Sequence, residues 1–470
     1  MLFNSFQFIF VFLPLVLLGY YLIRNKRAQL FFLFSASVFF YAYWSHTHVF
    51  LLLFTVVLDF YLAHWIYRTT SNAKRKSLVV VSVVANLSVL GFFKYYNFFT
   101  DSLNGAFNHF GLGAALPHLD IVLPIGISFY TFQSMSYVID VYRRSAHSHG
   151  SLLEFSSYVT LFPHQISGPL VRHDYIVPQL EASKTYVFNF ENFWKGICFF
   201  VFGLAKKMLI ADRVAEAVDP IIANIGIASN LEAVFAMIGY TVQLYFDFSG
   251  YSDMAVGLGL MMNIQFPANF NSPYKSRSIT EFWKRWHITL SSWLRDYLYI
   301  SLGGNRRGSL FTYRNLLLTM AIGGLWHGAN WTFVVWGVMH GAALAIERWF
   351  KDKGFDFVKN SAVKWVLTLL FISVAWVFFR ANSVQDAALW LSKVFWWQGG
   401  FDSDITLMPV KYRDKFYSLC LIGWISAMWA KNTWEMKFKP SFFTVCTVAL
   451  LFVICLMYMG EQSPFLYFQF

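Results

Sequence analysis

The stretch AIGGLWHGANWTFVVWGVMHGAALAIERWF, residues 321–350, decides the class of fold. It carries no full charge until Glu347, yet it sets His327 and His340 amid long apolar runs. The runs 313–331 and 332–349, which contain it, are each long enough to cross a hydrocarbon core about 30 Å thick. Working outward, comparable runs recur at 6–23, 28–45, 48–67, 77–93, 121–141, 192–212, 231–246, 362–380, 416–430 and 441–460. Of the 470 residues, 57% are hydrophobic, 20% aromatic and only 13% charged, where a soluble domain has roughly a quarter charged. This composition excludes a water-soluble enzyme, a disordered chain, a collagen and a small disulfide scaffold. The pattern predicts an all-α polytopic membrane protein with eleven to thirteen membrane elements. No Pro/Ser-rich linker, long charge run or fixed-period repeat divides it, so residues 1–470 read as one transmembrane domain, with 461–470 as a tail.

The formal charge is +12. In a soluble chain that excess points to nucleic acid; in a polytopic one it is explained by Lys and Arg held in cytoplasmic loops beside anionic headgroups, and membrane lipids are the expected partners. Arg24, Lys26 and Arg27 follow the first span, whose leading residues carry no basic side chain, so the N-terminus is expected outside. Alternation then places 68–76 inside, 101–119 outside and Arg143 and Arg144 inside. Lys431, Lys437 and Lys439 precede the last span and put the tail outside. The first run, FQFIFVFLPLVLLGYYLI (6–23), lacks a basic n-region and a small-residue cleavage site and reads as a span rather than a signal peptide. Cys198, Cys420, Cys446 and Cys455 share no C-x-x-C spacing and read as small core hydrophobes.

Two segments are less apolar yet not loop-like. LFPHQISGPLVRHDYIVPQL (161–180) is broken by Pro163, Gly168, Pro169 and Pro178 and cannot form one helix. Irregular backbone at membrane depth requires protein or a wet cavity around it. In SRSITEFWKRWHITLSSWLRDYLYISLGGNRRG (276–308), Ser278 and Glu281 have capping-box spacing, and Phe282, Trp286, Trp293 and Tyr297 fall near helical spacing. The expectation is one interfacial amphipathic helix ended by Gly303 and Gly304.

Ionisable groups inside spans are costly and mark function by default. They cluster at His327 and His340, at Asp247 and Asp253 in QLYFDFSGYSDMAVGLGLMM beside Gly250, and at Asp59 and His64; His287 lies in the amphipathic segment. A buried neutral imidazole suits proton abstraction from a hydroxyl that attacks an activated acyl group. Gly323, Gly324, Gly328 and Ala329 leave room around His327. Plainer roles stand beside these: hydrogen-bonded packing for the histidines, structural pairing for Asp247 and Asp253, headgroup anchoring for the basic Trp-rich stretch, and topology charges for Arg306 and Arg307, which beside two glycines also suit a phosphate. H-E-x-x-H, G-x-S-x-G, G-x-x-x-x-G-K-[ST] and G-x-G-x-x-G are absent.

GLWHGANW (324–331), together with TEFWKRWHITLSSWLRDYLYISLGGNRRG (280–308), YFDFSGYSDMAVGLGLMMNIQFPANFNSPY (245–274), LPIGISFYTFQSMSYVIDVYRR (123–144) and the tail PFLYFQF (464–470), resembles the membrane-bound O-acyltransferase (MBOAT) family. Within it the likeness is to the bacterial branch that O-acetylates alginate and peptidoglycan. The resemblance covers essentially the whole chain and implies about eleven transmembrane helices with re-entrant and interfacial elements around a central funnel. It implies that His327, in G-x-W-H-G, is catalytic and that His287, in R-W-H-x-x-L-S, is its partner. LGGNR (302–306), with Asn305, points to this branch over the D-alanyl transferases. His164 departs from the family's Pro-Gln pattern near 163–168.

The resulting expectation is acetyl transfer from a cytoplasmic thioester, most simply acetyl-CoA, to an extracytoplasmic polysaccharide such as alginate or peptidoglycan. No metal or bound cofactor is required. Lys284, Arg285, Arg306 and Arg307 attract the donor's phosphates, and Trp283, Trp286 and Trp326 line a pocket small enough for acetyl. His327 is the general base, and His287 orients the thioester or polarises its carbonyl. The apolar tail folds back into the extracytoplasmic mouth, and Tyr467 is either a plug or a covalent acyl relay, as similar C-terminal tyrosine motifs in related acyl-transfer systems suggest. The family usually works with a periplasmic SGNH-hydrolase-type partner, and the site is the bacterial inner membrane. The rivals are a transporter or flippase, with His327, His287 and Asp247 as a proton relay and 161–180 as its gate, and a structural scaffold.

Overall fold

A computed structural model describes residues 1–113, 115–148, 150–355, 358–397, 400–460 and 466. Among the described residues the regular structure is all helical, with no strand. His48–Arg68, Asn72–His109 and Ser361–Arg380 are long and apolar enough to cross a membrane, and Phe8–Leu22 and Phe442–Met457 are shorter apolar helices. Most of the other apolar runs are helical too, with shifted ends. Run 231–246 belongs to the longer Asn230–Met261, 313–331 becomes Ser309–His327, and 332–349 becomes Trp331–Asp352. Their glycines and polar residues lower their apolarity, because they pack on protein rather than lipid.

The chain forms two compact units, Met1–Phe200 with Met254–Pro267, and Val201–Asp253 with Ala268–Phe470. In the first unit, buried Asp59 is fully satisfied. Ser82 Oγ donates to its Oδ1 at 2.6 Å, and Asn86 Nδ2 donates to both oxygens at 3.0 and 2.9 Å. Asp59 therefore ties His48–Arg68 to Asn72–Leu90 and is a packing residue. Residues 161–170 are buried and non-helical, and the chain resumes as a helix only at His173–Glu181, as the prolines require. The departure His164 is buried there, 2.9 Å from Gln133 Nε2 through its Nδ1. Of the cysteines, Cys446 is exposed on Phe442–Met457, a correction to a wholly interior set, while Cys198, Cys420 and Cys455 are buried.

The second unit is built on a hairpin of two helices, Ser309–His327 and Trp331–Asp352. Asn330 caps the second, its side chain accepting from Thr332 N at 3.0 Å. The two backbones approach until only glycine fits. A Cβ on Gly341 would lie 2.8 Å from Leu317 Cα, and one on Gly337 would meet the Met320 carbonyl and lie 3.0 Å from Ala321 Cα. Gly337→Val is therefore expected to separate the helices and cost roughly 3 kcal/mol, the upper end of overpacking. Thermal unfolding in detergent checks this, and an unchanged midpoint would contradict it.

The segment 276–308 is not one interfacial helix. It runs as Ile279–Arg285, Ile288–Trp293 and the π-helical Leu294–Tyr299, with a break at Trp286 and His287. His287 is left-handed, at φ 43° and ψ 53°, so the helix cannot run through it. Ser278 caps the first piece through Glu281 N at 3.0 Å, whereas Glu281 turns back to Arg277 N at 2.9 Å instead of completing a capping box. The Glu347 carboxylate also accepts from Thr280 N at 2.9 Å and from the Thr280 hydroxyl at 2.7 Å. Phe282, Trp283, Trp286 and Trp293 are buried in protein, so this stretch is not a row of headgroup anchors. It does end, as expected, where Gly303 and Gly304 take positive φ.

Candidate active site

His327 is the last residue of Ser309–His327, where the helix C-terminus favours a positive charge on the ring. It is 4% exposed. Trp326, Trp336 and Phe379 surround it with ring centroids 5.1, 5.1 and 5.3 Å away. The ring of His287, fully buried, lies 6.4 Å from that of His327. The fold thus brings together two histidines that stand forty positions apart in the chain. Phe248 and Trp326 box His287 at 4.8 and 6.3 Å. His287 Nδ1 lies 3.1 Å from Asn269 Oδ1, and its Nε2 is buried with no hydrogen-bond partner. His340 stands behind Trp336, with ring centroids 4.8 Å apart, and accepts from Trp283 Nε1 at 3.2 Å.

A cavity of about 530 Å³ lies in the same unit, and neither histidine lines it. Its walls include Trp283, Ile288 next to His287, Leu294, and Thr319 and Met320 two turns before His327. Three cations, Lys284, Arg295 and Arg348, line it with Asn305. Arg295 pairs with Asp296 at 2.6 Å and Arg348 with Asp352 at 2.9 Å. Of the residues singled out in the sequence, Trp283, Lys284 and Asn305 line this cavity. Arg285 does not: it bonds Glu281 at 2.9 Å and the Asn271 carbonyl at 3.1 Å. Arg306 and Arg307 follow the Gly303–Gly304 turn, are exposed and do not line the cavity. Trp286 packs against Phe270, Tyr274 and Trp376 instead, and Trp326 packs beside both histidines and outside the cavity wall. Arg295 and Arg348, and neither Arg306 nor Arg307, line the cavity. Arg348 falls at the end of an apolar run, where it reads as a topology charge.

Asp247 and Asp253 are ion-paired, with Asp247 Oδ1 2.5 Å from Lys207 Nζ and Asp253 Oδ2 2.6 Å from Lys206 Nζ. Thr433 Oγ1 also donates to Asp253 at 2.6 Å. Lys207 further contacts Asp212 at 2.7 Å. Both lysines lie in a π-helical turn, Lys206–Ala211, and were legible as two charges inside the apolar run 192–212. Gly250 permits the approach, since a Cβ there would be 2.7 Å from the Gly203 carbonyl. The tail reaches this cluster: Leu466 N donates to Asp247 Oδ2 at 3.1 Å, and Leu466 is buried in the core. Tyr467 lies outside the described residues.

A sequence model of the MBOAT, membrane-bound O-acyltransferase family matches residues 37–384. The chain belongs to the membrane-bound O-acyltransferase family. It is 48% identical over 393 residues to a probable alginate O-acetylase of Pseudomonas aeruginosa, which covers 82% of this chain and 73% of that one. It is 35% identical to a peptidoglycan O-acetyltransferase of Helicobacter pylori over 100% of this chain and 98% of that one. A teichoic acid D-alanyltransferase of Streptococcus thermophilus is 30% identical over 49% of this chain. As an MBOAT protein the chain is a membrane-bound acyltransferase, which sets aside the transporter and scaffold readings. Both histidines and all three cavity cations fall inside the matched region.

Proposed function

We propose that the protein transfers an acetyl group from acetyl-CoA, bound from the cytoplasmic side, to a hydroxyl of a cell-envelope or secreted polysaccharide such as peptidoglycan or alginate. The observation that carries this reading is a buried pair of histidines, one of them next in sequence to Ile288, which lines a cavity that also holds three cations. The acceptor oxygen bonds to the thioester carbonyl carbon, its proton passes to His327, and the carbon–sulfur bond breaks. The proton then returns to the thiolate. His327 acts as the base, helped by its helix C-terminus, and His287 orients the reacting groups beside it. The aromatic surroundings exclude water and so protect the thioester from hydrolysis.

The relatives named as O-acetyltransferases support acetyl as the transferred group. The loop charges support an inner-membrane protein with N- and C-termini in the periplasm. There a periplasmic SGNH-type partner takes the acetyl group onward, and Tyr467 relays it, the tail being drawn inward at Leu466. Loss both of transfer to the polysaccharide and of thiol release from acetyl-CoA is the expected result in Tyr467→Phe, which lacks the hydroxyl that takes the acetyl group; undiminished transfer would exclude the relay.

The donor is tested by incubating purified protein with acetyl-CoA and following free thiol. Lys284→Ala and Arg348→Ala are each expected to raise KM for acetyl-CoA about tenfold, the worth of one lost bond to a charged group. Acetyl-pantetheine, which lacks the nucleotide phosphates, should be turned over at a rate these changes leave alone. Equal losses on both substrates would remove the cavity from donor binding, and intact acetyl-CoA would remove the donor.

A further inference from the structure

Asn269 belongs to no motif with catalytic spacing, yet it is tied at the site by every polar atom of its side chain. It is 1% exposed. Its Oδ1 accepts from Thr289 N at 3.3 Å and from the Thr289 hydroxyl at 2.9 Å, and lies 3.1 Å from His287 Nδ1. Its Nδ2 donates to Ser252 Oγ at 3.2 Å. A backbone N–H can only donate, so the atom facing Thr289 N is the carbonyl oxygen and not the amide nitrogen. That oxygen can only accept, so the proton between it and His287 belongs to Nδ1. In a neutral imidazole Nε2 then has none, and Nε2 is the buried atom without a partner.

The backbone makes the same case. His287 is held in the left-handed region, which a bulky residue occupies only when its neighbours impose it. Two backbone bonds impose it, one on each side. Ile288 N donates to Asn269 O at 2.9 Å, and Asn271 N donates to Arg285 O at 2.9 Å. The 269–271 strip thus fixes both the direction of the ring and its tautomer.

We propose that Asn269 is a positioning residue of the acyl-transfer site: it holds His287 as the Nδ1–H tautomer, so that the bare Nε2 faces the reacting groups as a proton acceptor. This rests on the acetyl-transfer reading above and sharpens the part of His287 within it. Polarising the thioester carbonyl would need a proton on Nε2, which this tautomer lacks. As the acceptor oxygen bonds to the carbonyl carbon, its proton enters a pair of imidazoles that both accept; when the carbon–sulfur bond breaks, the pair returns one proton to the thiolate. Asn269 exchanges none.

Two readouts test this in the full-length protein in nanodiscs. With ring-15N-labelled histidine, the His287 signals, assigned by their absence in His287→Gln, should show a protonated Nδ1 and a bare Nε2 near neutral pH. Asn269→Leu should scramble the tautomer and lower thiol release from acetyl-CoA about 100-fold, as loss of a ring-orienting partner does elsewhere. Asn269→Asp should keep the tautomer and much of the rate, and move the acidic limb of the pH–rate profile up by about one unit, because a carboxylate favours the imidazolium. A wild-type His287 protonated at Nε2, or Asn269→Leu within twofold of wild type, would overturn the proposal. The expected tautomer in a protein that leaves acetyl-CoA intact would instead overturn the acetyl reading and keep the tautomer assignment.

Discussion

His327→Ala is expected to leave a folded, membrane-inserted protein whose acetyl transfer falls about 10³-fold or more, within the range lost when a general base is removed. The ring sits where a base is useful. Its helix end stabilises the cation formed when it takes a proton, and aromatic rings keep water out. A second histidine 6.4 Å away, centroid to centroid, cannot replace it, since Asn269 and the strained backbone hold that ring in its own place. Removing a buried ring also leaves a cavity, so His327→Gln is the companion variant: it fills most of the space and hydrogen-bonds but cannot serve as a base. Both variants should unfold near the wild-type temperature and both should fail to transfer. An active His327→Gln protein would assign the base to another residue.

Lys207→Met is the change with the largest expected effect on stability. Its ammonium stands between Asp247 and Asp212, and all three side chains are at most 5% exposed. Without it two buried carboxylates lose their cation, which costs about 3–5 kcal/mol for a broken buried pair. Set against a total stability of about 5–15 kcal/mol, that loss should show as poor yield and a clearly lower unfolding temperature in detergent. Adding Asp247→Asn should recover part of it by deleting one of the stranded charges, although the bond from Leu466 N would then meet a weaker acceptor. A Lys207→Met protein as stable as wild type would mean that the cluster contributes nothing to the fold.

Much of the architecture was legible because lipid leaves a chain few choices. Apolar length alone located His48–Arg68 and Ser361–Arg380 within a residue or two, and prolines forecast the broken backbone at 161–172. The segment 276–308 was misread for a physical reason: its helical spacing is real in each piece, but the left-handed turn at His287 comes from backbone bonds to residues 269–271, and no periodicity reports a partner so far along the chain. The same limit hid Asn269. The two histidines were visible because an imidazole among apolar residues is conspicuous. Which basic residues line the cavity was not, since Arg285 and Arg348 each pair with a carboxylate four positions away and only the packed fold sets one of them in the wall. Asp247 and Asp253 stood out for their cost, and Lys206 and Lys207 are what offset that cost.

In the proposed reaction one membrane protein moves an acetyl group, and not its carrier, from a thioester on one face to a hydroxyl on the other. Inside-out membrane vesicles that hold acceptor polysaccharide in the lumen, supplied outside with acetyl-CoA labelled in the acetyl group, test it directly. The expected result is labelled ester on the lumenal polysaccharide, free coenzyme A outside, and neither in vesicles carrying His327→Ala. Intact acetyl-CoA accumulating in the lumen, or lumenal ester formed equally well by His327→Ala, would contradict it.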